Sequence, residues 1–239
     1  IPIIVAGQVT GIDAFKIGSG ECNNYPLLDH IARKGKPILL STGMNDLGAV
    51  RKAVSVIRRR GAPLALLHCT SLYPTPYEKL RLGAIADLQK SFPNLPIGLS
   101  DHTLNIWTCL GAAALGACIL EKHFTISRAW PGPDTKMSIE PGELKDLVEG
   151  SRAVWRARGG AKTILREEQP VIDFAYATVV SIAPIREGDA FSRRNIWVKR
   201  PGVGPLKADS FERVLGKRAL RDIPAEVHIK PRDVAGLRA

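Results

Sequence analysis

Two histidines define the chemistry open to this chain. His102 ends the run Ile97-Gly-Leu-Ser-Asp-His, and His123 follows Ile119-Leu-Glu-Lys, so each closes a short apolar stretch and the two lie 21 residues apart. A strand, a helix and two loops occupy about that length in a parallel α/β fold, which sets both imidazoles at the carboxyl ends of neighbouring strands. Such ends are where these folds hold their chemistry. Two neutral imidazoles with open positions suit Mn²⁺ or Fe²⁺ and leave room for a substrate carbonyl. Read one at a time, each is equally a satisfied histidine in a sheet. Asp101 and Glu121 stand beside them. Side chains alternate along a strand, so neither need share the direction of the histidines.

A second set comprises Lys16, Ser19, Ser41, Ser71 and Ser100, each on or just beyond a strand-like run. A lysine, several hydroxyls and glycine-rich backbone can bind a phosphate or a carboxylate. The plainer alternative is a scatter of turn residues. The stiff turn Trp130-Pro-Gly-Pro-Asp134 could aim Asp134 into the mouth of the sheet, and Tyr73 lies in a similar proline-rich turn. Cys69 beside His68 has no third group to make it a nucleophile.

The elements that must position these residues are repeated β-α units. Five β-prone segments, at 14–17, 37–40, 64–67, 96–99 and 118–120, each run into polar residues. Helical patterns lie between them. One starts at Asn45 or Asp46 and runs to Arg60, one covers 106–116, and one begins at the Pro141-Gly-Glu start and reaches Arg158. Such units imply a parallel sheet covered on both faces, of barrel type but with about five units rather than eight. After Gly159-Gly160 the texture changes. Residues 161–175 read as a linker and 176–239 as a small β-rich module. Within that module the segment 185–196 weakly repeats as 223–234.

Composition narrows the classes. The 239 residues are 45% apolar with a formal net charge of +11. The positive charges form no run of five or more and are not interleaved with aromatics, which argues against nucleic acid and favours an anionic small substrate. No apolar run reaches the length of a membrane span. The four cysteines form no CxxC pair, and the opening residues lack a basic n-region, so a cytoplasmic protein with reduced thiols is expected. The chain starts with Ile, as a processed chain or a piece of a longer one would.

Taken together, the motifs resemble the N-acetylneuraminate (sialic acid) synthase family. They are Phe15-Lys-Ile-Gly-Ser-Gly-Glu-Cys-Asn-Asn-Tyr-Pro26, Leu40-Ser-Thr-Gly-Met44, His68-Cys-Thr-Ser-Leu-Tyr-Pro-Thr-Pro-Tyr77, Gly98-Leu-Ser-Asp-His-Thr103, Glu121-Lys-His-Phe-Thr125, Pro131-Gly-Pro-Asp134 and Trp197-Val-Lys-Arg-Pro-Gly202. The resemblance implies a partial (β/α)8 TIM barrel over 1–160 and an antifreeze-like (SAF) domain over 176–239. It implies condensation of phosphoenolpyruvate with N-acetylmannosamine, with phosphate leaving. His102 and His123 would hold Mn²⁺. Lys16, Ser19, Ser41, Ser100 and, less directly, Ser71 would hold phosphoenolpyruvate. Glu21, Tyr73 and Asp134 would serve the reacting end, with Asp134 also on the sugar side. Arg200 would reach the sugar from the partner subunit of a homodimer. The family carries three further β-α units ahead of the lysine strand, with an acidic residue and a second lysine. The resemblance covers roughly its C-terminal two thirds. The same motifs leave open a catalytically incomplete fragment, or a synthase of legionaminic or pseudaminic acid.

Overall fold

A computed structural model describes residues 11–237, in two compact units divided between Gly160 and Ala161. In the first unit the strands and helices alternate along the chain. They are β1 (Phe15–Ile17), α1 (Tyr25–Ala32), β2 (Ile38–Ser41), α2 (Leu47–Arg58), β3 (Leu64–Cys69), α3 (Tyr77–Leu80), α4 (Ala84–Ser91), β4 (Ile97–Asp101), α5 (Trp107–Ala114), β5 (Leu120–Lys122) and α6 (Pro141–Ala157). The five strands form one all-parallel sheet in sequential order. β3 and β4 are buried along their whole length.

The sheet is curled. A flat sheet would set β1 and β5 about 19 Å apart at ~4.8 Å per strand. Yet Lys16 Nζ on β1 lies 3.1 Å from Glu121 Oε2 on β5. The interior of the curl therefore brings first and last strands together, and the architecture is a partial TIM barrel. The outer face packs on the helices. Val50, Ala53, Val54 and Ile57 of α2 are buried at helical spacing, and Asp46 caps that helix by accepting from Ala49 N–H at 2.7 Å.

Strands run further than their apolar residues foretold. β3 continues through His68 and Cys69, and β4 through Ser100 and Asp101, because parallel pairing uses backbone groups whatever the side chain. The register sets Cys69 opposite Ser100 and Ser100 opposite Glu121, in one row across three strands. Gly98 makes the approach of β4 and β5 possible: a Cβ there would lie 2.4 Å from the Ile119 carbonyl oxygen and 2.5 Å from Leu67 Cδ2. Gly98→Ala is expected to destabilise the protein by about 1–3 kcal/mol through overpacking. A thermal melt checks this, and a variant melting with the wild type would show that the strands can part at no cost.

The second unit begins with the segment expected to be a linker. Residues 161–175 carry a 3₁₀ turn, Arg166–Glu168, and helix α7 (Gln169–Ala175). Polar composition concealed a helix whose Pro170 sits in its first turn, where no N–H is needed. β6 (Thr178–Ser181) and β7 (Ile196–Lys199) pair antiparallel, and a short α8 (Phe211–Val214) closes a separate core around Val179, Phe191, Ile196 and Ile229. The weak repeat has structural content. Ile185 and Ile223 exchange both backbone hydrogen bonds. Gly188 and Glu226, at equivalent places, both take positive φ. Asn195 and Asp233 each accept from the backbone N–H three residues earlier, at 2.7 and 2.9 Å.

Candidate active site

The ends of β1 to β5 open into a cavity of about 540 Å³. Lys16, Ser19, Ser41 and Ser100 line it, as do His102, His123, Tyr73 and Asp134. Cys69 and Glu121 complete it. His102 and His123 follow β4 and β5 directly, and their ring centroids are 5.2 Å apart. Tyr73 stacks on His102 at 4.2 Å between centroids and meets His123 edge-on at 6.2 Å.

The imidazoles can serve as ligands. His102 Nδ1 lies 3.0 Å from the Thr70 carbonyl oxygen, which can only accept, so Nδ1 carries a proton and Nε2 is the ring nitrogen available to a ligand. Burial, reinforced by the neighbouring His102, pushes His123 below the usual histidine range, although Asp134 and Glu121 oppose this. His123 is therefore neutral at pH 7. Its Nδ1 lies 3.5 Å from Asp134 Oδ2. Two imidazoles with a carboxylate alongside fit a divalent transition metal that keeps open positions for oxygen ligands. Among the described residues, no group of three or more His, Cys, Asp or Glu side chains is placed to hold a metal ion. Burial, with Cys69, Asp134 and Glu121 nearby, lifts the Tyr73 phenol above its ordinary range, so it stays protonated.

The lysine and serines suit an oxygen-rich anion. Lys16 supplies the charge. Ser41 Oγ is buried with no hydrogen-bond partner, an orphaned group that a ligand would satisfy. The loop after β2 organises Ser19: Gly43 N–H donates to Ser19 Oγ at 2.9 Å, and Asn45 Nδ2 donates to the Ser19 carbonyl at 3.1 Å. Gly43 must lack a side chain. A Cβ there would lie 2.5 Å from Ser71 Oγ and 2.8 Å from Ser19 Oγ.

Three expected residues stand elsewhere. Glu21 does not line the cavity; it ends a 3₁₀ turn, and its Oε2 accepts from Asn24 Nδ2 at 2.8 Å, at the start of α1. The local Asx geometry that caps α1 turns it there. Ser71 lies behind Gly43, buried and unpartnered, rather than on the cavity wall. Arg200 is exposed and belongs to the second unit. Conversely, Glu121 is a site residue that its motif position left undecided. Its two oxygens accept from Ser100 Oγ at 3.0 Å and pair with Lys16 Nζ at 3.1 Å. Strand alternation was the available signal, since Glu121 and His123 are two residues apart and share a face. Asp101, adjacent to His102, faces the helices instead, as alternation requires.

Similarity to known proteins agrees with this geometry. Residues 6–163 match the model of the NeuB family, and residues 176–235 match that of the SAF domain. The chain is 42% identical over 216 residues to the N,N'-diacetyllegionaminic acid synthase of Campylobacter jejuni, covering 89% of this chain and 64% of that protein. It is 35% identical to human N-acetylneuraminate-9-phosphate synthase, covering 86% and 58% respectively. A crystal structure of N-acetylneuraminic acid synthetase from Leptospira borgpetersenii, in complex with citrate, superposes with a TM-score of 0.64 at 36% identity. That superposition covers 68% of this chain and 57% of the other. The chain thus spans roughly three fifths of the length of these relatives. With its cavity at the carboxyl ends of a curled parallel sheet and a SAF domain after it, the chain belongs to the NeuB family.

Proposed function

We propose that this chain is the phosphoenolpyruvate-handling and imidazole-bearing part of a sialic acid synthase, which joins phosphoenolpyruvate to N-acetylmannosamine and water to give N-acetylneuraminate and phosphate. The observation that carries the reading is one cavity lined by a lysine, three serines of which Ser41 has an orphaned hydroxyl, and two imidazoles. Lys16, Ser19, Ser41 and Ser100 hold the phosphate and carboxylate of phosphoenolpyruvate. His102 and His123 hold Mn²⁺, which when bound supplies Lewis acidity and a template for the sugar carbonyl. Tyr73, a protonated phenol against both rings, keeps them oriented and can donate a hydrogen bond into the cavity. Asp134 faces His123 and stands where it can accept from a sugar hydroxyl. In a homodimer, Arg200 of one subunit's SAF domain reaches the sugar in its partner's site.

One observation favours a second acceptor. Identity is higher to the Campylobacter legionaminic acid synthase, 42%, than to the human N-acetylneuraminate-9-phosphate synthase, 35%. An N,N'-diacetyl product requires an acceptor with a second acetamido group.

The test is phosphate release from phosphoenolpyruvate by the purified chain, with Mn²⁺ or EDTA, offered N-acetylmannosamine or a diacetamido acceptor. Mn²⁺-dependent release with the first sugar supports the sialic acid reading, and preference for the second shifts the product. No release with either, from folded protein that still binds phosphoenolpyruvate by calorimetry, marks a catalytically incomplete chain. No binding of phosphoenolpyruvate overturns the assignment of the anion site. Gly43→Ala should weaken phosphoenolpyruvate about tenfold, ~1.4 kcal/mol, by displacing the Ser19 hydroxyl. Calorimetry with unchanged affinity would remove Ser19 and its loop from the anion site.

A further inference from the structure

Behind the two imidazoles, on the helix-facing side of the sheet, lies an ion pair that the chemistry above does not use. Lys122 Nζ sits 2.8 Å from Asp101 Oδ2, with side-chain exposures of 3% and 0%. The two residues face each other directly across β4 and β5, and each immediately precedes one of the histidines. Asp101 is saturated: it also accepts from Thr103 N–H at 3.0 Å, Thr103 Oγ1 at 3.0 Å and Thr108 Oγ1 at 2.8 Å. Lys122 Nζ additionally donates to the Thr103 carbonyl.

We propose that the Asp101–Lys122 pair is a positioning device, a cross-strand clamp that fixes the separation and orientation of His102 and His123; this rests on the reading of those histidines as a working pair. One observation and one general argument point to such a clamp. β5 is only three residues long and, among the described residues, pairs with β4 alone, so its backbone ladder holds His123 weakly. A buried ion pair is also a poor stabiliser compared with well-packed apolar residues, whereas its directional geometry fixes register. The clamp completes a frame. The His102 carbonyl accepts from Thr75 N–H at 2.9 Å, the His123 carbonyl accepts from Ile139 N–H at 2.8 Å, and Thr70 holds the His102 ring. Lys122 ties the end of β5 to the Thr103 loop and, through Asp101, to Thr108 of α5.

The test uses the full chain with ¹⁵N-labelled histidine. Long-range proton–nitrogen spectra report the tautomer and exchange of each ring without metal, and Mn²⁺ titration by electron paramagnetic resonance reports affinity. Three variants are compared. Asp101→Asn/Lys122→Met removes both charges and the cross-strand link but keeps an acceptor for the threonines. Asp101→Asn/Lys122→Gln restores a neutral link. Thr108→Val deletes one donor and leaves both charges. The Met double variant, folded by circular dichroism, should show shifted and exchange-broadened His102 and His123 nitrogens and about tenfold weaker Mn²⁺, the low end of what outer-sphere changes produce. The Gln double variant should return both readouts towards wild type. Wild-type ring signals in the folded Met variant overturn the proposal. Should neither double variant fold, Thr108→Val decides: a displaced His102 signal sustains the clamp, and an unchanged one overturns it. A wild-type chain that takes no Mn²⁺, with ring signals that still move in the variants, removes the metal reading and leaves the clamp standing.

Discussion

Replacing either His102 or His123 by glutamine should lower Mn²⁺ affinity at least about 100-fold, beyond the 10–100-fold that changes outside the coordination sphere produce. The expectation follows from the small donor set. Among the described residues, no third His, Cys, Asp or Glu is placed to share the load. If the proposed pair holds the ion, losing one of two nitrogen ligands removes half of the strong bonds. The two sites should differ in their side effects. His102 is buried, stacks on Tyr73 and holds the Thr70 carbonyl, so its replacement also loosens the turn that carries Tyr73. His123 is more open, and its loss should leave the melting temperature nearly unchanged. Mn²⁺ titration of the folded variants is the measurement. Wild-type affinity in the double variant would refute the ligand assignment. Any metal-dependent phosphate release should fall in parallel with Mn²⁺ occupancy.

The largest stability effect is expected from Lys122→Met, at about 3–5 kcal/mol. Burial alone would push the Asp101 carboxyl up; the Lys122 ammonium and the Thr103 and Thr108 donors outweigh it and hold the group below the usual carboxylate range. Methionine retains the apolar stem of the lysine but strands a carboxylate among α5 and the sheet. The loss falls on the unit that contains the sheet, so unfolding should split into two transitions, with the earlier one belonging to residues up to Gly160. Adding Asp101→Asn should recover a large part of the loss, because a neutral amide needs no counter-charge. Calorimetry of the single and double variants checks both statements. A single variant within 1 kcal/mol of wild type would mean that water reaches Asp101.

Much of the site was legible because strand–helix repeats are local in sequence. The 21-residue spacing of His102 and His123 foretold neighbouring strand ends, and Lys16, Ser19, Ser41 and Ser100 line the cavity that their positions suggested. The placement of Glu21 was not legible, because its direction depends on Asn24 and the cap of α1, a turn geometry that spacing does not report. The short helix within residues 161–175 was not legible, because polar composition does not distinguish an exposed helix from irregular chain.

The sequence by itself determined the alternation of strands and helices, the strand ends that carry the polar residues, and the families its motifs resemble. These rest on periodicity and on residue type. Only the tertiary structure decided which of those residues meet. The curl of the sheet brings Lys16 to Glu121 across five strands, and the register sets Asp101 against Lys122 behind the histidines. Hydrophobic pattern selects the face of a strand, but register and curvature arise from the packing of all five strands on their helices.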